Sequence, residues 1–242
     1  MNRNLIIYLL TFVFLIRFVY AADHYLTDCN DQWTYGDTYF LTTDIVPDKL
    51  ICMDINTSNV ILDCQGYSIN GNIGAVGILL DEVSDVTIKN CTLYGLQSGL
   101  ELMSSSENTF INIIADYNEL EGIKKDENSH DDNFYCVRAC KNSQEDPDAY
   151  YDIIDIGINN IFTFAICDKD YPSDICVATC RTCPPNSNCA EGEICKNGFC
   201  FAECEEDENG KPPEIPEFTT IGIILALLII IVGIFLIIRK RK

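Results

Sequence analysis

Residues 59–70 read NVILDCQGYSIN, residues 84–102 read SDVTIKNCTLYGLQSGLEL and residues 107–124 read ENTFINIIADYNELEGIK. The three segments are copies of one pattern. Leu62, Ile88 and Phe110 hold the same place in successive copies, 26 and 22 residues apart. Gly77-Ile78, Gly99-Leu100 and Gly122-Ile123 form a second column, spaced 22 and 23 residues. Cys64, Asn90 and Asn112 form a third. Self-similarity at a period of about 20 to 50 residues marks a stacked-repeat architecture, because one such unit cannot bury its own apolar face.

Within each copy, VILD, VTIK and TFINI are short β-rich runs bounded by Asn, Asp, Ser and Gly. Such runs read as strands between turns. If a copy closes into one coil of three short strands, each strand pairs in parallel with its equivalent about 4.8 Å away. Leu62, Ile88 and Phe110 are then expected to form one interior ladder, and Val60 with Val86 part of another. Asn90 and Asn112 should stack at a turn with their amides bonded between coils. The columned glycines are expected to supply turns with φ > 0, which costs glycine little. Asn133-Phe134-Tyr135-Cys136 repeats the Phe110 motif 24 residues on, and Gly157-Ile158-Asn159-Asn160-Ile161 opens one more coil. The acidic stretch 141–152 between them reads as a loop. Four to five coils result, a stack of roughly 20 Å at this spacing. Its ends need cover, since unpaired strands invite association. Trp33, Tyr35, Tyr39, Phe40 and Leu41 are expected to cap one end, and the cysteine-rich tail the other.

Outside the repeats, both ends are apolar. Asn2-Arg3 precede an uncharged run from Leu5 to Ile16, then Arg17 and Val19-Tyr20-Ala21. This is the layout of a signal peptide, with cleavage expected after Ala21 or Ala22. Residues 218–238 carry no charge and precede Arg239-Lys240-Arg241-Lys242. At about 1.5 Å per residue such a helix reaches roughly 32 Å, enough for a hydrocarbon core of about 30 Å. The basic cluster should stay cytoplasmic, which leaves residues 22–217 outside the cell. All 37 Asp and Glu lie in that exterior segment against 10 of the 16 Lys and Arg, a net charge of −27. A surface of that sign repels nucleic acid, which is excluded as a partner.

With fourteen cysteines in an exported chain, disulfides are the expectation. In the first half of the chain the suggested pairs are Cys29 with Cys52 and Cys64 with Cys91, the latter on neighbouring coils. Cys136 with Cys140 is a third. From Cys176 the spacing runs through Cys180, Cys183, Cys189, Cys195, Cys200 and Cys204. A segment so poor in large apolar residues must be stapled. Its seven cysteines leave one to pair outside, with Cys167 as the candidate. Cys180 and Cys183 also form a C-x2-C zinc half-site, which the exported position disfavours. The sequons Asn56-Thr57-Ser58 and Asn90-Cys91-Thr92 mark glycosylation sites, with Asn56 the accessible one.

The run CNDQWTYGDTYFLTTDIVPDKLICMDINTSNVILDCQGYSINGN (29–72), followed by GILL, VTIKNCTLYG and SGLEL, carries a resemblance. It resembles the right-handed parallel β-helix proteins of the pectate-lyase-like and NosD-type group, most of all their archaeal and bacterial surface members, over residues 29–165. The resemblance implies a short right-handed parallel β-helix, and with the stapled cysteine segment and the apolar run the fold expected is all-β, with a small disulfide-rich module and one C-terminal transmembrane helix. The organisation expected is a signal peptide over 1–21, an N-terminal cap over 22–57 and the β-helix over 58–166. A cysteine-rich module over 167–204, a stalk over 205–217, the membrane helix over 218–238 and a basic tail over 239–242 follow. CPPNSNCAEGEICKNGFC (183–200) resembles EGF-like or dickkopf-like repeats. Pro216-Glu217-Phe218, the apolar run and the basic tail together resemble a PEF-type archaeal sorting signal, which implies removal of the helix and transfer to a lipid.

The group spans lyases, hydrolases, metal-maturation factors and binding proteins, so fold does not choose function. A lyase-like activity would need acidic Ca²⁺ ligands and a cation; Asp63, Asp81, Glu82, Asp85 and Asp116 supply acids, and Lys89, Lys124 and Lys125 the few cations. A hydrolase would need aspartates clustered on neighbouring coils, yet Asp63 is followed by Lys89 and Ile111 in its column. A NosD-like copper role would fall to His24, His130, Met53 and Met103. The acidic run 126–132, DENSHDD, can share a hard cation such as Ca²⁺ but lacks the glycine and terminal glutamate of an EF-hand loop. The reading that follows names no catalytic or metal residue and no cofactor. It describes a surface protein binding glycan or protein partners or serving in the envelope, with a polysaccharide-active enzyme as the alternative.

Overall fold

The computed structural model describes residues 21–71, 74–143 and 151–176, and the backbone of 193–196 and 199–202. Its first strands are β1 (Asp23–Leu26), β2 (Thr38–Leu41), β3 (Ile51–Ile55), β4 (Ile61–Asp63), β5 (Ser68–Asn70) and β6 (Val76–Asp81). Next come β7 (Thr87–Lys89), β8 (Thr92–Tyr94), β9 (Ser98–Met103), β10 (Thr109–Asp116), β11 (Ile123–Lys125) and β12 (Asn133–Ala139). β13 (Ile153–Asp155), β14 (Ile161–Thr163), β15 (Ile166–Cys167), β16 (Asp170–Tyr171), β17 (Glu193–Lys196) and β18 (Phe199–Ala202) complete the order.

Two parallel sheets hold the first sixteen strands. The larger runs β1-β2-β4-β7-β10-β12-β14, with a side tract in which β5 pairs β8, β8 pairs β10 and β12 pairs β15. The smaller runs β3-β6-β9-β11-β13-β16. The chain therefore visits the larger sheet, its side tract and the smaller sheet, then returns one strand further on, as in β4, β5, β6 and β7. That is a solenoid-like winding of parallel strands, and β17 with β18 is an antiparallel hairpin.

Register stacks like on like. Tyr39 pairs Leu62, Leu62 pairs Ile88, Ile88 pairs Phe110, Phe110 pairs Phe134 and Phe134 pairs Phe162. The ring centroids of Phe110 and Phe134 lie 4.5 Å apart, and those of Phe134 and Phe162 4.4 Å. Across the core, Met53, Ile78, Leu100, Ile123 and Ile153 form the facing column on the smaller sheet. Each fully buried aliphatic or aromatic side chain contributes about 1.5–3 kcal/mol. The expected ladder of Leu62, Ile88 and Phe110 is thus the core itself.

The stack is longer than the repeats suggest. Residues 22–57, expected as a cap, contribute β1, β2 and β3 to the two sheets, and β15 and β16 extend the stack beyond 166. Seven strands succeed one another in the larger sheet, where four to five coils were expected. Of the expected aromatic cap, Tyr39 and Leu41 are core residues within β2, Trp33 is buried, and Tyr35 is exposed.

The glycine column serves a different purpose from the one expected. Gly77 and Gly99 sit inside β6 and β9, and none of Gly77, Gly99 and Gly122 has a positive φ. A Cβ on Gly77 would meet the carbonyl oxygen of Gly99 at 2.6 Å, and one on Gly99 that of Gly122 at 2.5 Å. Close approach of successive backbones excludes any side chain. The left-handed turns fall instead to other positions: Asn59, Asp85, Glu107, Asp131 and Asn159 in one column, Gln65, Asn90, Asn112, Cys136 and Phe164 in another, and the glycines Gly36, Gly66, Gly71 and Gly95. The expected asparagine ladder lies in the second of these. Asn112 Nδ2 donates to Asn90 Oδ1 at 3.0 Å, and Asn90 Nδ2 donates to Asp63 Oδ1 at 3.1 Å.

Disulfides tie coil to coil. Cys29–Cys52 and Cys64–Cys91, both expected, have Cα–Cα distances of 4.5 and 4.9 Å, and Cys167 bonds Cys176. Cys136 and Cys140, suggested as a third pair, are both disulfide-bonded. Cys195 and Cys200 occupy opposed positions of the β17–β18 hairpin. Among the described residues no helix is long and apolar enough to cross a membrane. The expected signal peptide, stalk, membrane helix, basic tail and sorting motif at Pro216, Glu217 and Phe218 lie outside the described residues, as do Cys180, Cys183, Cys189 and Cys204.

Candidate functional site

Alternation along a strand decides which residues the larger sheet presents outward. With the Tyr39–Phe162 column inside, its two flanking columns face out. One reads Thr38, Ile61, Thr87, Thr109, Asn133 and Ile161; the other reads Tyr25, Phe40, Asp63, Lys89, Ile111, Tyr135 and Thr163. Tyr25 stacks on Phe40 with ring centroids 5.7 Å apart. Tyr135 meets Phe164 edge-on at 6.0 Å. Between these aromatic ends Lys89 Nζ and Asp63 Oδ2 pair at 3.3 Å. Tyr25, Ile61, Ile161 and Phe164 are exposed. The face is a ribbon, aromatic at both ends, charged in the middle and flanked by threonines. Tyr25 and Tyr135 lie five strands apart, roughly 24 Å at about 4.8 Å per strand. A second, shorter aromatic group stands beside the side tract, where Tyr94 and Tyr117 are exposed with centroids 5.3 Å apart.

The lyase-like candidates do not converge. Asp63 faces Lys89, Lys124 Nζ lies 3.8 Å from Glu121 Oε2, and Lys125 Nζ lies 2.5 Å from Asp132 Oδ2. Asp116 is buried and bonds Arg138 at 2.5 Å, while Cys140 N donates to its other oxygen. Lys49 pairs Asp31 and Lys141 pairs Asp168. Glu82 and Asp85 take left-handed turn positions, and Asp81 ends β6 opposite Met103 on the smaller sheet. These cations are therefore matched one to one with carboxylates.

Two of those pairs are buried, Arg138 with Asp116 on the side-tract face and Lys125 with Asp132 inside the solenoid, and sequence reasoning missed both. Lys125 follows Ile55, Leu80 and Leu102 in an interior column, fully buried. Burial pushes its amine below the ordinary range and the Asp132 carboxyl above it; the hydrogen bond between them opposes both shifts. Asp132 also accepts from Asn108 N at 2.8 Å and Asn108 Nδ2 at 3.0 Å, and Asn108 Oδ1 accepts from Val86 N at 2.9 Å. The Val60–Val86 ladder thus continues as Asn108 and Asp132. At another corner Asn118 Oδ1 accepts from Leu96 N, Asn142 Oδ1 from Asn118 N, and Asp152 Oδ1 from Asn142 N. Asp152, expected in a surface loop, is buried, and burial pushes its carboxyl up. A signal existed: Asn108, Asp132, Asn118 and Asn142 recur at the repeat period.

The remaining candidates scatter. His24 Nε2 bonds Asp37 Oδ2 at 2.7 Å and stacks on Tyr39, whereas His130 Nδ1 meets Asp131 Oδ2 at 2.9 Å. Met53 is buried and Met103 exposed. The four candidate copper ligands share no site. In the run 126–132, Asp126 accepts from Ser104 N and Ser129 Oγ, Asp131 from its neighbouring imidazole, and Asp132 from Lys125. Groups of acidic and sulfur side chains close enough to share an ion occur at Cys167, Asp170 and Cys176 and at Asp28, Cys29 and Asp48. In both, the sulfurs belong to disulfides and are not thiolates. Asn56 is exposed directly after β3, and Asn90 is held in its ladder. Compared with known protein families, with curated proteins and with solved structures, the chain matches none.

Proposed function

We propose that this is a non-catalytic cell-surface protein of the right-handed, pectate-lyase-like β-helix type, in which the outer ribbon of the larger sheet binds a glycan. In this reading the signal peptide exports residues 22–217, the apolar run 218–238 anchors the chain or is exchanged for a lipid, and the cysteine-rich module and stalk hold the solenoid off the membrane. The observation that carries the reading is the ribbon itself. Tyr25 with Phe40, and Tyr135 with Phe164, offer ring surface on which sugar rings stack, while Asp63, Lys89 and the threonines offer hydrogen bonds between them. A net charge of −27 over residues 22–217 favours neutral or cationic glycans and disfavours polyuronates.

The pairing of the coil cations supports binding over turnover, since a lyase-like step needs a cation directed at its substrate. The test is retention on immobilised polysaccharides of envelope and plant origin, with and without Ca²⁺. Retention of the protein is expected on at least one neutral glycan, lost in Tyr25→Ala and Tyr135→Ala and kept in Tyr94→Ala. Failure to bind any of them, or binding that Tyr94→Ala abolishes and Tyr135→Ala spares, would sink the assignment to this face.

A further inference from the structure

Asp37 is a carboxylate built into the start of the solenoid and used by nothing in the proposed function. It is 5% exposed. Its Oδ1 accepts from Ala22 N at 2.9 Å and its Oδ2 meets His24 Nε2 at 2.7 Å. These hydrogen bonds, that from Ala22 first, hold its carboxyl below the usual range. The carbonyl of Ala22 in turn accepts from Thr38 N at 2.9 Å, so both main-chain groups of this residue are fixed. Ala22 itself is exposed. The imidazole of His24 stacks on Tyr39 at 4.5 Å, and Tyr39 packs edge-on against Trp33 at 4.5 Å. A nearly buried carboxylate, aimed at one main-chain nitrogen that borders on solvent, is a fitting seat for an ammonium.

From this geometry we infer that the mature protein begins at Ala22 and that its new α-ammonium is bound by Asp37. The inference rests on the export reading above and decides between the two cleavage positions that the sequence leaves open. In the step, an export endopeptidase adds water across the Ala21–Ala22 bond. The oxygen goes to Ala21 as a carboxylate, while the nitrogen stays with Ala22 and takes up both protons of the water, becoming an ammonium. One ammonium proton then occupies the existing 2.9 Å bond to Asp37, and the others reach water at an exposed residue. A bond from a neutral amide to a carboxylate thereby becomes an ion pair in which both partners are charged. Cleavage one residue later removes both the donor to Asp37 Oδ1 and the acceptor of Thr38 N. That would strand a carboxylate oxygen without its partner, the costly side of hydrogen-bond energetics.

The test begins with the full chain expressed in an exporting host and the N-terminal peptide of the purified protein read by mass spectrometry. Ala22 is the expected first residue. Asp23 or any later residue overturns the inference and leaves export standing, whereas Met1 overturns both. A second arm acylates the terminal amine of the folded protein with a small amine reagent near neutral pH and quantifies the N-terminal peptide. The folded protein should react about tenfold more slowly than Asp37→Asn, or than the same protein unfolded in denaturant, because the ion pair favours the protonated, unreactive amine. Equal rates in the folded and unfolded wild type, a comparison that needs no variant, contradict the pairing.

Discussion

From β2 to β9 the interior columns hold Tyr39, Leu62 and Ile88 on one side and Ile55, Leu80 and Leu102 on the other; from β10 onward the first stays apolar with Phe110, Phe134 and Phe162, the second takes Lys125, and the corners take Asn108, Asp132, Asn118 and Asn142. One backbone winding accommodates both fillings. Apolar columns need only shape, because dispersion and burial are non-directional. Polar columns need a partner at every rung. The solenoid supplies it, because each side chain lies above its equivalent and one coil's amide or carboxylate reaches the next coil's backbone N–H. The apolar half should therefore lose stability in proportion to the volume removed, and the polar half in proportion to the partners stranded.

Breaking the polar half at its most buried charge gives the largest expected effect. Asp132→Ala leaves the Lys125 ammonium unpaired inside the core and should destabilise the protein by about 4 kcal/mol in denaturant unfolding. Lys125→Met combined with Asp132→Asn, which keeps the acceptor for Asn108, should recover most of that loss. If the double substitution is as unstable as Asp132→Ala, stranded charge is not the cause. In the apolar half, Leu80→Ala should cost about 3 kcal/mol, the usual cost of a buried leucine cavity. The side-chain ladder is next: Asn118→Ala strands Leu96 N and should cost about 2 kcal/mol, with hydrogen exchange at Leu96 rising sharply.

Acid sharpens the same contrast. Asp37 has its carboxyl held down by Ala22 N and His24, so its contribution is present above the unfolded carboxylate pKa of about 3.9 and is lost as pH falls through the lower folded value. Asp116, Asp132 and Asp152 are shifted upward by burial, so protonation is favoured in the folded state and acid does not draw on them in this way. Hydrogen exchange between pH 5 and 2.5, corrected for intrinsic rates, should show β1 losing protection while β12 keeps it. Loss at β12 first would refute the assignment.

What could be read from residues alone divides along the same line. Leu62, Ile88 and Phe110 announced their column because apolar residues at constant period have one explanation in a stack. Asn90 with Asn112, and the Cys64–Cys91 bond between neighbouring coils, followed from it. The N-terminal strands were hidden, since Thr38-Tyr39-Phe40-Leu41 reads as an aromatic cluster and shows no alternation. The C-terminal coils were hidden for the opposite reason: once Val86 is succeeded by Asn108 and Asp132, an interior column resembles a solvated loop. The glycines were located correctly and explained wrongly, because sequence cannot distinguish a residue that must turn from one whose backbone must touch its neighbour. The outer ribbon needed the register, which alone tells the outward Tyr135 from the inward Phe134.

The central claim is that this surface holds a glycan without cleaving it. The direct measurement incubates the purified protein with each polysaccharide that retains it and follows new reducing ends and unsaturated products over a day, with and without Ca²⁺. No product above the protein-free control is the predicted result, for wild type and for Asp63→Asn and Lys89→Ala alike. Product that accumulates with wild type and disappears in either variant would contradict the account and make the Asp63–Lys89 pair a catalytic one.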